Sequence, residues 1–306
     1  MPTPEPATGS PATDSPAAGA PTLAREEWQT RAQAHRERIE ALIGPYLQAR
    51  SQGRKHPVID FLFTYYSARP KQVARWHPGY GVALAQAHRY GGLRGYRVDA
   101  DGTARVSIEH LRDRRPLLTA TLRLARATAG RPARFGCFGL HEWAMVYRVE
   151  ETRHELPLRL GAAGTDAVVE RQPLRCTHFD AFRFFTEPAA GLNATALTRA
   201  TAIDNEQPGC LHATMDLYRF CLKLTPLIPS ELLADCFELA LCARELDMRA
   251  SPYDLSQYGY WPVTIETADG RAQYVREQSA IADRGERARA ALITACEDLL
   301  RLSDLA

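Results

Sequence analysis

"GCLHATMDLYRFCLKLTPLIPSELLADCFELALCAREL", residues 209–246, is the stretch on which the fold turns. Apolar side chains recur at three- and four-residue steps on both sides of "TPLIP", the period of a helix that buries one face. Pro226 and Pro229 confine the break between the two halves. Residues 209–224 therefore read as a helix, 225–229 as a connector, and 230–246 as a second helix with Ser230 as its N-cap. Cys221, Cys236 and Cys242 lie inside these apolar patterns, as Cys296 does later, where a thiol acts as a small hydrophobe.

The pattern extends outward in both directions. Trp28, Ala32, Ile39, Leu42 and Tyr46 give a helix that ends before "SQGRK". Pro57 in "HPVIDFLFTYYSARP" suits a first helical turn, where its missing N–H is not needed. "YRVDADGTARVSIEH" alternates around Asp101-Gly102 and reads as a β-hairpin. Residues 114–129 read as a helix that stops at Gly130, and 139–150 could form another. "LPLRL" and "PLRCTHF" have strand character, and "TDAVVERQ" could be a short helix capped by Thr165. "SPYDLSQYGYWP" reads as a loop, "VTIET" with "AQYVRE" as a hairpin around Asp269-Gly270, and 279–302 as a final helix. The fold expected is mainly α with small β-hairpins (α+β), a single globular helical domain over 23–306. Before it, residues 1–22 read as a disordered Pro/Ala-rich tail.

Composition narrows the function classes. The 306 residues are 45% hydrophobic, enough for a real core, and the net charge of +2 selects neither nucleic acid nor a membrane as partner. Only Lys55, Lys71 and Lys223 among 38 basic residues are lysines, a bias best explained by a GC-rich coding sequence. No segment reaches the apolar length of a membrane span, and the N-terminus lacks the features of a secretory signal. Seven cysteines with no Cys-x-x-Cys pair fit reduced thiols in a cytoplasm. Cys210, after Pro208-Gly209 at a helix start, sits where a thiol pKa can be lowered.

Chemistry concentrates in four His–carboxylate pairs set in apolar sequence: His56 with Asp60, His141 with Glu142, His178 with Asp180, and His212 with Asp216. Each would be costly if buried without a partner. His141-Glu142 opens the zinc-protease signature His-Glu-x-x-His, but Met145 stands where the second histidine is needed. A different metal reading takes His56, His141, His178 and His212 with the carboxylates as ligands of a non-haem iron or manganese ion, leaving open positions for small-molecule chemistry such as oxygenation. A third reading needs no metal. Asp180 or Asp216, with His178, His212 or Glu142 assisting, would stabilise an oxocarbenium-like sugar while Tyr65, Tyr66, Trp143 and Arg183 hold an extruded base. Tyr253 and Asp254 could line a pocket mouth, and Asp254 fits a turn equally well. Arg112, Arg115, Arg123 and Arg126 form a stripe that could follow a phosphate backbone or simply face solvent.

"KHPVIDFLFTYYSARPKQVARWHPG", "FGLHEWAMVYR", "CTHFDAFRFFTEPA" and "RELDMRASPYDL", with the 206–240 stretch, resemble a family of bacterial proteins of about this size commonly labelled 3-methyladenine DNA glycosylase. The resemblance covers about residues 25–300. It implies base-excision repair, in which a DNA N-glycosylase acts as a hydrolase releasing alkylated purines from damaged duplex DNA without a cofactor. The chain lacks the glycine-rich hairpin and following Asp of helix-hairpin-helix glycosylases, so no catalytic position carries over, and the carboxylates above come from the residues themselves. The metal-dependent enzyme and a non-catalytic binding module, with the His–carboxylate pairs as structural networks, remain open beside it. Convergence of His56, His141, His178 and His212 would mean metal. Dispersed histidines and one carboxylate in an aromatic cleft would favour the glycosylase.

Overall fold

A computed structural model of the chain describes residues 21–150, 152 and 156–305; residues 1–20 of the expected tail lie outside the described ones. The first elements in chain order are β1 (Thr22–Leu23), α1 (Arg25–Ser51), α2 (Asp60–Thr64), α3 (Pro70–Val73) and β2 (Ala83–Leu84). There follow β3 (Tyr96–Val98), β4 (Ala104–Val106), α4 (Ile108–Ala129), α5 (Leu140–Ala144), α6 (Gly161–Arg171) and α7 (Phe179–Phe182). The chain continues through α8 (Glu187–Ala190), α9 (Ala202–Asn205), α10 (Leu211–Leu224), α11 (Ser230–Arg249) and α12 (Ala268–Leu305). The architecture is mainly α with a small β part, as the periodicity implies.

The helical hairpin of α10 and α11 is the centre of the molecule, and α12 and α4 close over it. Every residue from Leu211 to Tyr218 is buried, so the first two turns of α10 are enclosed on all sides. A helix enclosed in this way carries its polar residues into the core with it, and His212 and Asp216 travel inward together. Close approach of α12 to α10 depends on Gly285, where a Cβ would lie 3.1 Å from Thr214 Oγ1. The four short strands form one sheet in the order β1-β2-β4-β3. The β3–β4 hairpin pairs Tyr96 with Val106 and turns at Asp101-Gly102, where Gly102 has φ +83°. With Trp28, Trp76 and Tyr90 the sheet makes a second, smaller apolar cluster away from the centre.

Several local expectations need correction. Thr22 already pairs with Ala83, so the ordered chain reaches into the last residues assigned to the tail. Ser230 is the first helical residue of α11 rather than its cap, and its Oγ accepts from His77 N at 2.8 Å. Thr165 lies inside α6 and donates to Gly161 O at 2.7 Å. "LPLRL" and "PLRCTHF" contribute only the single bridges Leu158–Tyr253 and Leu174–Asn193. The largest departure is at Asp269-Gly270, which is not a turn: α12 begins at Ala268 and runs for 38 residues. Thr267 starts it, its Oγ1 accepting from Gly270 N at 3.0 Å, and this side-chain cap prevails over the local turn tendency of Asp-Gly.

Candidate metal centre

The start of α10 is fixed before any functional group is placed. Gln207 Oε1 accepts from Arg134 N and Gly209 N, both at 2.8 Å, and Gln278 of α12 donates to Gly209 O at 2.7 Å. These bonds set the height at which His212 enters the core. The short helix α5 starts after Gly139, which takes φ +73°. It is tied to the end of α11 by Trp143, whose Nε1 donates to Ala250 O at 2.8 Å. That tie brings His141 of α5 against Asp247 of α11.

His141, His212 and Asp247 are all buried, and one donor atom from each lies within 4.8 Å of the other two. His141 Nε2 stands 2.8 Å from Asp247 Oδ1, a buried ion-pair contact. Buried donor atoms at this spacing could hold a metal ion. Ligands about 2.1 Å from one ion stand roughly 3.0–3.4 Å apart, near the spacing here. The His212 ring packs edge-on against His141 with centroids 4.6 Å apart. Arg244 holds the other side of Asp247: Nη1 donates to Asp247 Oδ2 at 2.9 Å and to Glu142 Oε1 at 2.8 Å. These bonds fix the orientation of the Asp247 carboxylate.

Electrostatics separates the two histidines. Burial opposes charge on His141, but the adjacent Asp247 carboxylate outweighs it and raises the pKa well above the ordinary value. Burial and then the nearby His141 hold His212 well below that value, in the neutral form a metal needs. Burial works against ionisation of Asp247, yet His141 and Arg244 hold it below the usual carboxylate range.

A second group adjoins the first. His178, at the N-cap of α7, points Nε2 to Asp216 Oδ2 at 3.3 Å and to Glu206 Oε1 at 3.7 Å. Its ring centroid is 5.4 Å from that of His212, which thus lies between the two groups. Asp216 also faces Arg219 Nη2 at 2.5 Å and the Tyr66 hydroxyl at 3.3 Å. Burial raises the Glu206 pKa, with His178 partly offsetting it.

Three of the four expected histidines therefore converge. His56 does not: its ring packs on Tyr258 and Tyr260, its Nδ1 accepts from Ile59 N at 3.2 Å, and Asp60 caps His56 N. Asp180 diverges from His178, because α7 is a helix and not a strand; Arg183, Arg199 and Arg219 surround its carboxylate at 3.3, 3.5 and 2.9 Å. Trp143 is not a pocket ring but a fully buried anchor. Tyr66 is also inside, bonded to Asp216, whereas Tyr65 faces a cleft and is bonded to Arg183 at 3.5 Å. Asp254 caps Ser256 N at 2.9 Å, the turn role, while Tyr253 lines the cleft. Cys210 is no activated thiol, since burial pushes its pKa up. In the arginine stripe, Arg115 pairs with Asp304 and Arg126 with Glu297, so two of its four members serve the α4–α12 seam.

The cleft has a volume of about 840 Å³, within the usual range for small-molecule sites. Phe61, Tyr65, Phe184 and Tyr253 supply its aromatic walls, His212, Glu142 and Arg244 part of its floor, and Arg50, Arg54 and Lys55 part of its rim. Asp247, Arg244, Glu206 and Arg219 belong to the site although sequence reading did not single them out. A signal existed for three of them. Arg219 lies three residues after Asp216, and Arg244 three before Asp247, each pair on one face of an otherwise apolar helix. Glu206 sits in polar loop sequence and carried no such mark.

Comparison with protein-family models, with curated proteins and with solved structures finds no match. Among the described residues no helix is long and apolar enough to cross a membrane, and all seven cysteines are free thiols.

Proposed function

We propose that this chain is a metal-dependent enzyme in which His141, His212 and Asp247 hold one divalent iron or manganese ion. The observation that carries the reading is the meeting of three buried donor atoms, from His141, His212 and Asp247, within 4.8 Å of one another, with His141 Nε2 and Asp247 Oδ1 2.8 Å apart. Two imidazoles and one carboxylate leave open positions on such an ion for substrate or dioxygen. His212 lines the aromatic cleft, so a small molecule bound there approaches the ion from that side. Glu142 and Arg244 are the polar groups beside it, and Arg244 also lies over the Phe61 ring at 4.3 Å. The test is bound metal after anaerobic loading with Fe²⁺ or with Mn²⁺. His56→Ala should bind as much metal as wild type, and His212→Ala and Asp247→Asn should each bind about one equivalent less. A wild-type protein that takes up neither metal overturns the proposal.

One observation favours a second reading, the DNA glycosylase. Phe61, Tyr65 and Phe184 line the cleft together with Asp180, the ingredients of a base pocket with a carboxylate in its wall. Release of 3-methyladenine from alkylated duplex DNA by metal-free protein, abolished by Asp180→Asn, would support it. Intact substrate after prolonged incubation would dismiss it.

A further inference from the structure

Glu206 is a carboxylate with 5% exposure and, among the described residues, no arginine or lysine within ion-pair distance. Its only charged contact at that range is His178 Nε2, at 3.7 Å, which is too long for a charge-assisted hydrogen bond. His178 Nε2 also meets Asp216 Oδ2 at 3.3 Å, a hydrogen bond at the long end of the range. That distance falls within the roughly 3.0–3.4 Å that separates ligands of one ion, and the Glu206 distance lies just beyond it. One donor atom from each of His178, Glu206 and Asp216 lies within 4.8 Å of the other two, and all three residues are buried.

Resting on the metal reading above, we infer that the protein holds a second divalent cation, between His178, Glu206 and Asp216. The donor set differs from that of the first site. One imidazole and two carboxylates are oxygen-rich and favour manganese or magnesium over softer ions. Asp216 keeps its orientation from Arg219 and the Tyr66 hydroxyl, the outer contacts expected of a ligating carboxylate. His212, its ring 4.6 Å from that of His141 and 5.4 Å from that of His178, makes the two sites neighbours. The centre is thus binuclear, built from an imidazole-rich half and a carboxylate-rich half.

Equilibrium dialysis of metal-stripped full-length protein against Mn²⁺, with bound metal and electron paramagnetic resonance as readouts, tests this. Wild type should bind about two equivalents and give the broadened spectrum of coupled ions, as in other two-metal sites. Glu206→Gln should bind about one and give the resolved lines of an isolated ion. His212→Ala should also fall to about one, with its remaining ion sensitive to the further change Glu206→Gln. His178→Gln serves as a second probe should Glu206→Gln fail to fold, with thermal melting as the control. About one equivalent in wild type, unchanged in Glu206→Gln, overturns the second site and leaves the first standing. No bound manganese at all overturns both.

Discussion

Replacing Gly270 by alanine should destabilise the protein, although the residue lies in a helix where alanine is the better former. Propensity alone would favour the substitution by up to about 1 kcal/mol. The tertiary structure reverses the sign, because a Cβ at Gly270 would lie 1.9 Å from the Thr264 carbonyl oxygen and 2.8 Å from Thr264 Oγ1. The obstacle is backbone, so relief requires the start of α12 to move away from the preceding turn by more than an ångström. Forced overpacking costs typically about 1–3 kcal/mol, and a rigid partner places this case near 3 kcal/mol. A chain of this size has an unfolding entropy of about 0.6 kcal/mol/K, so the melting temperature should fall by about 5 °C. Gly191→Ala is the matched control: φ is −70° and nothing lies within 4 Å of the new methyl group. That change should stabilise by about 0.4–1 kcal/mol through the unfolded chain. Differential scanning calorimetry on both variants gives the comparison. A Gly270→Ala protein that melts at or above wild type refutes the close approach and restores the turn reading of Asp269-Gly270.

Other consequences follow from buried charge. His77 is buried beside the Tyr96 hydroxyl, and burial lowers its pKa to about 3. The folded protein keeps it neutral while the unfolded chain takes a proton below about 6.5, so its contribution is present above that pH and is lost as pH falls toward 3. Between pH 7.5 and pH 5 the loss is about 2 kcal/mol, and urea titrations at the two values should show a shallower pH dependence in His77→Gln. Arg244 sits 2% exposed between Glu142 and Asp247. Arg244→Met should cost about 3–5 kcal/mol in urea unfolding, because two carboxylates are left buried without their cation. Arg289 is equally buried, but it has no carboxylate within ion-pair range among the described residues and its Nη1 has no partner. Arg289→Met should therefore be close to neutral or stabilising, and a loss of several kcal/mol in the same assay would contradict that account.

The sequence by itself determined the elements whose cause is local. The apolar period and two prolines of 209–246 define α10 and α11, and Asp101-Gly102 closes the β3–β4 hairpin as its turn chemistry demands. The same rule failed at Asp269-Gly270, where the Thr267 cap and the contact with Thr264 favour helix over turn. His141, His178, His212 and Asp216 were legible as candidates because a polar residue in an apolar run must find a partner once buried. Which partner it finds was not legible. Asp247 meets His141 across 106 positions of chain, and Glu206 meets His178 across 28, through helix packing that no local pattern encodes. His56 shows the same limit from the other side, being indistinguishable from the converging histidines in sequence yet packed on Tyr258 and Tyr260. Residue chemistry is carried by the chain, but the direction of each side chain is set by the elements that pack around it, and only the tertiary structure decides whether donor atoms meet.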